Sequence, residues 1–431
     1  MQIISRREAL SMAAGAGMAA ALSSITPRVL GAEVAPAVAP GKKVRIGIIG
    51  TGDRGTALLH VALNFPEVEF PVLCDINQKN LERAQNIVER VSGKRPEGYD
   101  KGPYDYRRML ARDDFDAVII ATPQELHAEM AVDAMNAKKF VGSEVPAAVS
   151  VEECWNLVKA QQKTGTGYTM LENYCYFQPV MMVQNMVDKG VFGDLTYAYG
   201  TYIHEIRWMR FKKDGTLTWR GDNVLHTRGI VYPTHGMGPV CHWLGINRGD
   251  KLESLICMDS KSAGNQAYAA KKFGPDSPQA KIHWENGDVN KCLIHTKQGR
   301  LIEICYDTAS ARPSGIGTYA LQGTTASYGS DMGMEKIYIE GRTHPERWDP
   351  IENYKSEYQS ADWAELGAEA NRTGHGGADY FVIKDFIKAI RTGKSPVDVV
   401  DAATWTVIRP LSEVSCRAGG KPIEIPDFSK A

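Results

Sequence analysis

No charge of either sign dominates this chain. Its 50 lysines and arginines against 51 aspartates and glutamates leave a formal net charge of -1, and no basic run stands out, so the electrostatic footprint that nucleic acid or an anionic membrane surface requires is missing. Clustered cysteine is missing too. The 8 cysteines are scattered, without the close pairs of a metal or redox motif. Several, such as Cys74 and Cys305, stand in apolar strand-like runs, which predicts buried free thiols. No spacing of His, Cys, Asp and Glu resembles a zinc site, Gly374-His375-Gly376-Gly377 reads as a flexible turn, and no metal is expected. There is no internal repeat and no long apolar run after the N-terminus. A small-molecule partner fits best, and 431 residues exceed what one core usually serves, so two domains are expected.

The first residues stand apart. Ser5-Arg6-Arg7-Glu8 precedes an uncharged stretch from Ala9 to Pro27, followed by small residues including Ala35-Pro36-Ala37. This is the outline of a twin-arginine signal and predicts export to the periplasm with cleavage. The alternative is retention as an N-terminal anchor, since the segment approaches spanning length although Ala and Gly make it weakly hydrophobic. The Ala-Pro-rich stretch from Glu33 to Pro40 reads as a linker, which sets 1–40 aside as signal and linker.

The chemistry begins at residue 41. Lys43 to Ile49 reads as a buried strand running into Gly50-Thr51-Gly52-Asp53-Arg54-Gly55 and then a helical pattern from about Thr56. Strand, glycine triplet and helix in that order make a tight turn whose amides hold a pyrophosphate. A second strand, Val68 to Cys74, ends at Asp75, 20 residues past Gly55, where such folds set a carboxylate against the adenosine ribose hydroxyls; this favours NAD over NADP, with Arg54 as a counter-indication. Further strands over Phe115 to Ala121, Lys139 to Val141 and Tyr168 to Leu171 alternate with helices, predicting a parallel sheet and a Rossmann domain over 41–171. Ligands of such sheets bind at the carboxyl ends of the strands, which draws Gln124, His127, Glu144 and Asn173 to the cofactor edge.

After about residue 190 the texture changes to strands separated by turns, with few helices: Leu195 to Tyr202, Leu252 to Met258, Asn290 to His295, Leu301 to Tyr306 and Thr318 to Leu321. A second α/β domain over 172–431 with a large, mainly antiparallel open sheet is expected. Asp379 to Arg391 and Asp401 to Ala418 read as amphipathic helices packing on that sheet or on the first domain. The densest chemistry lies in Tyr202-Ile203-His204-Glu205-Ile206-Arg207, Trp219-Arg220 and Tyr232 to Pro239. There Tyr and His supply acid–base groups, and Arg and Trp suit a sugar ring.

These residues resemble the Gfo/Idh/MocA oxidoreductase superfamily over the whole chain after residue 40. Its dehydrogenases usually carry Glu-Lys-Pro after the fifth strand, whereas here the run is Glu144-Val145-Pro146 and the relay lysine is gone. The chain is similar more specifically to glycoside hydrolase family 109, whose named activity is α-N-acetylgalactosaminidase. The matching segments are Glu153-Cys154-Trp155, Leu171-Glu172-Asn173, Cys175-Tyr176, Tyr232-Pro233-Thr234-His235-Gly236, Gly374-His375-Gly376-Gly377 with Asp379-Tyr380-Phe381, and Ile425-Pro426-Asp427-Phe428. The resemblance implies that Gly50, Gly52, Asp53, Arg54, Gly55, Asp75, Gln124, Glu125, Leu126, His127, Glu144, Val145 and Asn173 hold NAD. It implies that Tyr202, Arg220, Tyr232, Pro233, Thr234 and His235 line the sugar site. One departure is Arg312-Pro313-Ser314, where the family commonly shows Arg-Pro-Tyr, so that either Tyr319 fills the space or the substrate differs.

The expected activity is that of a glycosidase using NAD without consuming it: C3 of the sugar is oxidised, the C2 proton is removed, the aglycone is eliminated, water adds and the hydride returns. His235 and Tyr232 are the expected proton-transfer groups, with Tyr176 or Tyr202 assisting. Two opposed carboxylates, the usual hydrolase equipment, are not evident. The competing readings are a sugar oxidoreductase with net redox and a non-catalytic sugar-binding protein. A homo-oligomer stays open.

Overall fold

The computed structural model describes residues 34–313, 317–331 and 333–430. The export signal at Ser5 to Pro27 and the family departure at Ser314 both lie outside the described residues.

The first sheet has six parallel strands, β1 (Val44–Ile49), β2 (Val68–Cys74), β3 (Glu97–Tyr99), β4 (Ala117–Ile120), β5 (Phe140–Ser143) and β6 (Tyr168–Met170), in the order β3-β2-β1-β4-β5-β6. That is the order of a dinucleotide-binding Rossmann sheet. Its inner strands β4 and β5 are buried at every position, as a sheet covered on both faces by helices requires.

The second sheet has nine strands. β7 (Leu195–Ile203), β8 (Leu252–Asp259), β9 (Val289–Thr296), β10 (Leu301–Asp307), β11 (Tyr319–Gly323), β12 (Ala326–Asp331), β13 (Met334–Ile339), β14 (Asp349–Pro350) and β15 (Ile423–Glu424) run in the order β14-β13-β12-β11-β7-β10-β9-β8-β15. β7 and β10 pair in parallel and the remaining neighbours are antiparallel. Burial along β9 alternates residue by residue, the signature of a sheet with one covered and one open face.

Helices are more frequent between these strands than the sequence texture predicts. Trp219–His226, Thr234–Trp243 and Gly264–Phe273 are helical. The middle one has no helical signature in the sequence, because Gly236, Gly238 and Pro239 are poor helix formers. Its glycines serve packing: a Cβ on Gly200 of β7 would come within 2.1 Å of the Gly236 carbonyl, so this helix lies directly on β7. The stretch Asp401 to Ala418 is two helices, Val399–Thr406 and Ile408–Arg417, not one. Pro410 has no amide proton for the Thr406 carbonyl, and its ring crowds that oxygen, which breaks the run at Val407.

Ile408–Arg417 packs on β8. Ala378–Thr392, although late in the chain, packs on the first domain: Phe386 fills the place of a side chain at Gly142 of β5, and Tyr380 lies 4.9 Å from Phe65 between ring centroids. The stretch expected to be a free linker docks on that same helix. Ala37 donates its amide to the Ile390 carbonyl (2.9 Å), and Val38 is buried. All eight cysteines are buried and unpaired.

Candidate active site

β1 runs into Gly50, whose φ of 88° is in the left-handed region, and the helix Asp53–Ala62 starts three residues later, earlier than the predicted Thr56. A Cβ on Gly55 would come within 1.9 Å of the Gly50 carbonyl, whereas one on Gly52 would meet almost open space. Gly50 and Gly55 therefore close the turn, and Gly52 keeps its outer side clear. No side chain caps the helix start, which leaves its first amides for a ligand. Asp75 stands at the lip: its Oδ2 accepts from the Thr51 amide (2.7 Å) and hydroxyl (3.2 Å), and its Oδ1 from the Asn77 amide (2.7 Å). A carboxylate with four acceptor positions retains one. Clear glycine, bare helix start and acidic lip fit a dinucleotide with a free ribose hydroxyl.

Arg54 joins two carboxylates. Its Nε donates to Glu144 Oε1 (2.6 Å) and its Nη1 to Asp379 Oδ2 (2.8 Å). Asp379 also accepts from His375 Nδ1 (2.8 Å) and from Asn173 Nδ2 (3.0 Å). Burial works against the Asp379 charge, but the hydrogen bonds from His375 and Arg54, with the charge of Arg54, overcome it and hold the carboxyl well below the usual carboxylate range. The network joins the glycine loop, the ends of β5 and β6 and the helix Ala378–Thr392.

The other residues expected at the cofactor edge divide. Glu125 and Leu126 are exposed on a single turn after β4, and Val145 is buried with its amide on Glu144 Oε2 (3.2 Å). His127 is a correction. It is buried, with Nδ1 at 2.8 Å from the Pro146 carbonyl and Nε2 at 2.8 Å from that of Thr122, so both ring nitrogens are consumed in bracing two loops. Gln124 lines a cavity with Tyr202, Arg220, Tyr232 and Tyr306. Its Oε1 accepts from Arg409 Nη1 (2.7 Å) and Asn223 Nδ2 (3.3 Å).

That cavity is aromatic. The rings of Tyr202 and Tyr232 stack at 5.1 Å, Tyr306 lies 6.1 Å from Tyr202, and the guanidinium of Arg220 sits 4.2 Å from the Trp219 ring centroid. His235 borders it, 4.9 Å from Tyr202 and 4.7 Å from Tyr232 between ring centroids, with Nδ1 at 2.6 Å from Glu172 Oε1. Pro233 and Thr234 start the helix behind it, and Thr234 is fully buried with no partner for its hydroxyl. Burial raises the phenols of Tyr174, Tyr202 and Tyr232. At neutral pH they are proton donors rather than bases, which leaves the base role to a histidine. Burial also lowers His204, and the hydroxyl of Tyr202 lies 3.1 Å from its Nδ1.

Two tyrosines are corrected. Tyr176, expected to assist catalysis, donates its hydroxyl to Asp385 Oδ2 (3.0 Å). The ring stacked on His235, at 3.8 Å and 10°, is that of Tyr174. Tyr319 does not fill in for a cavity tyrosine: it is buried, and its hydroxyl donates to the His235 carbonyl (2.8 Å). Sequence reasoning missed Tyr174, Glu172 and Asp379. The signal for Glu172 was its place beside Asn173 at the end of β6, under the same rule that selected Asn173.

Comparison with known proteins follows this division. Residues 44–171 match the oxidoreductase family with the NAD-binding Rossmann fold, and residues 176–431 match the C-terminal domain of glycosyl hydrolase 109. An alpha-N-acetylgalactosaminidase of Tannerella forsythia is 35% identical over 455 residues, covering 99% of this chain and 97% of that protein. A glycosyl hydrolase family 109 protein of Stenotrophomonas maltophilia is 35% identical over 450 residues, covering 100% and 96%. Among solved structures, levoglucosan dehydrogenase in complex with NADH superposes with a TM-score of 0.70 at 19% identity, over 90% of this chain and 100% of that one. The WlbA dehydrogenase from Bordetella pertussis in complex with NADH and UDP-GlcNAcA gives 0.64 at 18% identity, over 90% and 99%. The structural matches establish the fold, the Rossmann match establishes NAD as the cofactor, and the full-length relatives settle the lineage: the chain belongs to glycosyl hydrolase family 109.

Proposed function

We propose that this protein cleaves a glycosidic bond by transient oxidation at C3 of the sugar, elimination of the aglycone, addition of water and re-reduction. The observation that carries this reading is the cavity lining. Gln124, Tyr202, Arg220, Asn223, Tyr232 and Tyr306 are among its residues, and among the described residues that line it none is a carboxylate. A direct hydrolase needs two carboxyl groups across the scissile bond, whereas an elimination needs one base and one acid beside a cofactor cleft. The relay lysine of the superfamily's dehydrogenases is replaced by buried Val145, which also disfavours simple alcohol oxidation.

Gly50, Gly52, Gly55 and Asp75 would hold NAD, which would supply a reversible hydride acceptor for C3 and so would not be consumed. The proton of the C3 hydroxyl passes to Tyr202 and on to His204. His235 removes the C2 proton, which the adjacent ketone acidifies, and Tyr232 protonates the leaving oxygen. Water then adds its hydroxyl at C1 and its proton to Tyr232, His235 delivers a proton exchanged with solvent to C2, and His204 gives the C3 hydroxyl proton back through Tyr202. Arg220 and Trp219 grip the sugar. An α-N-acetylgalactosaminide is the first substrate to try, from the named activity of the Tannerella forsythia relative.

A resident cofactor suits the export that the N-terminal arginines predict: a dehydrogenase outside the cytoplasm lacks a nicotinamide pool, whereas the twin-arginine route carries a folded, loaded protein to the periplasm. The test is stoichiometry. Purified protein with no added NAD is expected to release p-nitrophenol from p-nitrophenyl α-N-acetylgalactosaminide over many turnovers, with unoxidised sugar as product. Accumulation of reduced cofactor with an oxidised sugar would establish net dehydrogenation instead.

A further inference from the structure

Among the described residues, only Nδ1 of the buried His235 ring has a hydrogen-bond partner, Glu172 Oε1 at 2.6 Å. Glu172 itself has no solvent exposure. The same oxygen accepts the amide of Tyr174 (3.0 Å), while Oε2 is buried without a partner. A carboxylate only accepts, so the proton of the 2.6 Å bond belongs to Nδ1, and the lone pair of the neutral ring falls on Nε2. Tyr174 lies flat against the imidazole and blocks its rotation. The fold makes room for this carboxylate, since a Cβ on Gly238 would come within 2.9 Å of Glu172 Cγ.

We propose that Glu172 is the positioning residue of the reaction, holding His235 in the Nδ1–H tautomer and supplying the counter-charge when Nε2 takes the sugar's C2 proton. The proposal rests on the elimination chemistry described above. In that step the C2–H bond breaks onto Nε2, and its electron pair enters the enolate of the C3 ketone. That pair forms the C1=C2 bond as the C1–O bond breaks, and the leaving oxygen takes the Tyr232 proton. Glu172 touches neither sugar nor cofactor; it acts through His235, as the aspartate of a serine-protease triad acts through its histidine.

The experiment compares wild type, Glu172→Gln and Glu172→Asp as full-length, NAD-loaded proteins on p-nitrophenyl α-N-acetylgalactosaminide. Glu172→Gln keeps shape but loses charge, and kcat is expected to fall about 10²- to 10⁴-fold while KM stays within about threefold and bound NAD is unchanged. Glu172→Asp restores the charge and is expected to regain about tenfold or more over Glu172→Gln. Independently of activity, ¹⁵N-histidine correlation spectra of the wild type are expected to show His235 protonated on Nδ1, a readout that stands even if Glu172→Gln does not fold. An Nε2–H tautomer in the wild type, or turnover by Glu172→Gln within about threefold of wild type, overturns the positioning role alone. A wild type that releases no p-nitrophenol while carrying NAD overturns the glycosidase reading, and this proposal with it.

Discussion

Arg54 Nη1 lies 2.8 Å from Asp379 Oδ2, a bond between residues 325 positions apart that pins the first helix of the nucleotide-binding domain to a helix from the end of the chain. Asp379 is almost fully buried and Arg54 three-quarters so. Removing one partner of such a pair leaves the other charge buried and costs about 3–5 kcal/mol. Asp379→Asn is expected to lower the unfolding free energy by an amount in that range, measured by denaturant titration, and to reduce the NAD that co-purifies. The pH dependence has a definite sign. A carboxyl held below its unfolded value, about 3.9, stabilises the fold above that pH and loses the contribution as pH falls through the lower, folded value. The stability gap between wild type and Asp379→Asn is thus expected to be full at neutral pH and to close only below about pH 4.

The glycine loop offers a paired test of the cofactor cradle. Gly55→Ala would set a Cβ within 1.9 Å of the Gly50 carbonyl and is expected to prevent correct folding of the first domain. Gly52→Ala meets no protein atom closer than 4.0 Å. It is expected to fold with stability within about 1 kcal/mol of wild type yet to purify with little NAD, as read from absorbance after acid release.

Tyr174 and Tyr176 separate in the same way. Tyr174→Ala removes the ring stacked on His235 and is expected to lower kcat by about 10²-fold or more. Tyr176→Phe removes one hydrogen bond to Asp385. It is expected to cost about 1 kcal/mol of stability and to leave kcat within about threefold.

The N-terminal arginines give a prediction in the cell. Changing Arg6 and Arg7 together to lysine is expected to shift the protein from the periplasm to the cytoplasm, read by fractionation and immunoblotting. An unchanged distribution would contradict twin-arginine export.

The legible parts of this chain are those where one backbone requirement dictates residue type. Continuous apolar runs marked β1 and β4, and the need for a side-chain-free turn marked Gly50, Gly52 and Gly55. What could not be read depends on rotation and partners. After β6 the chain winds into a 3₁₀ turn over Asn173–Tyr176, and at three residues per turn positions i and i+2 diverge, so Tyr174 meets His235 while Tyr176 turns to Asp385. His127 stands at the expected strand end, but its ring is spent on the Thr122 and Pro146 carbonyls, which no spacing announces. The pairing of Arg54 with Asp379 is equally silent in the sequence, since the two stand at opposite ends of it.

The elimination route turns on the fate of the sugar's C2 hydrogen. Cleavage of p-nitrophenyl α-N-acetylgalactosaminide in D₂O, followed by mass and NMR analysis of the released sugar, is expected to show deuterium at C2 and protium retained at C3. Released sugar with no deuterium at C2, formed at an undiminished rate, would mean direct displacement at C1 and would contradict the elimination route.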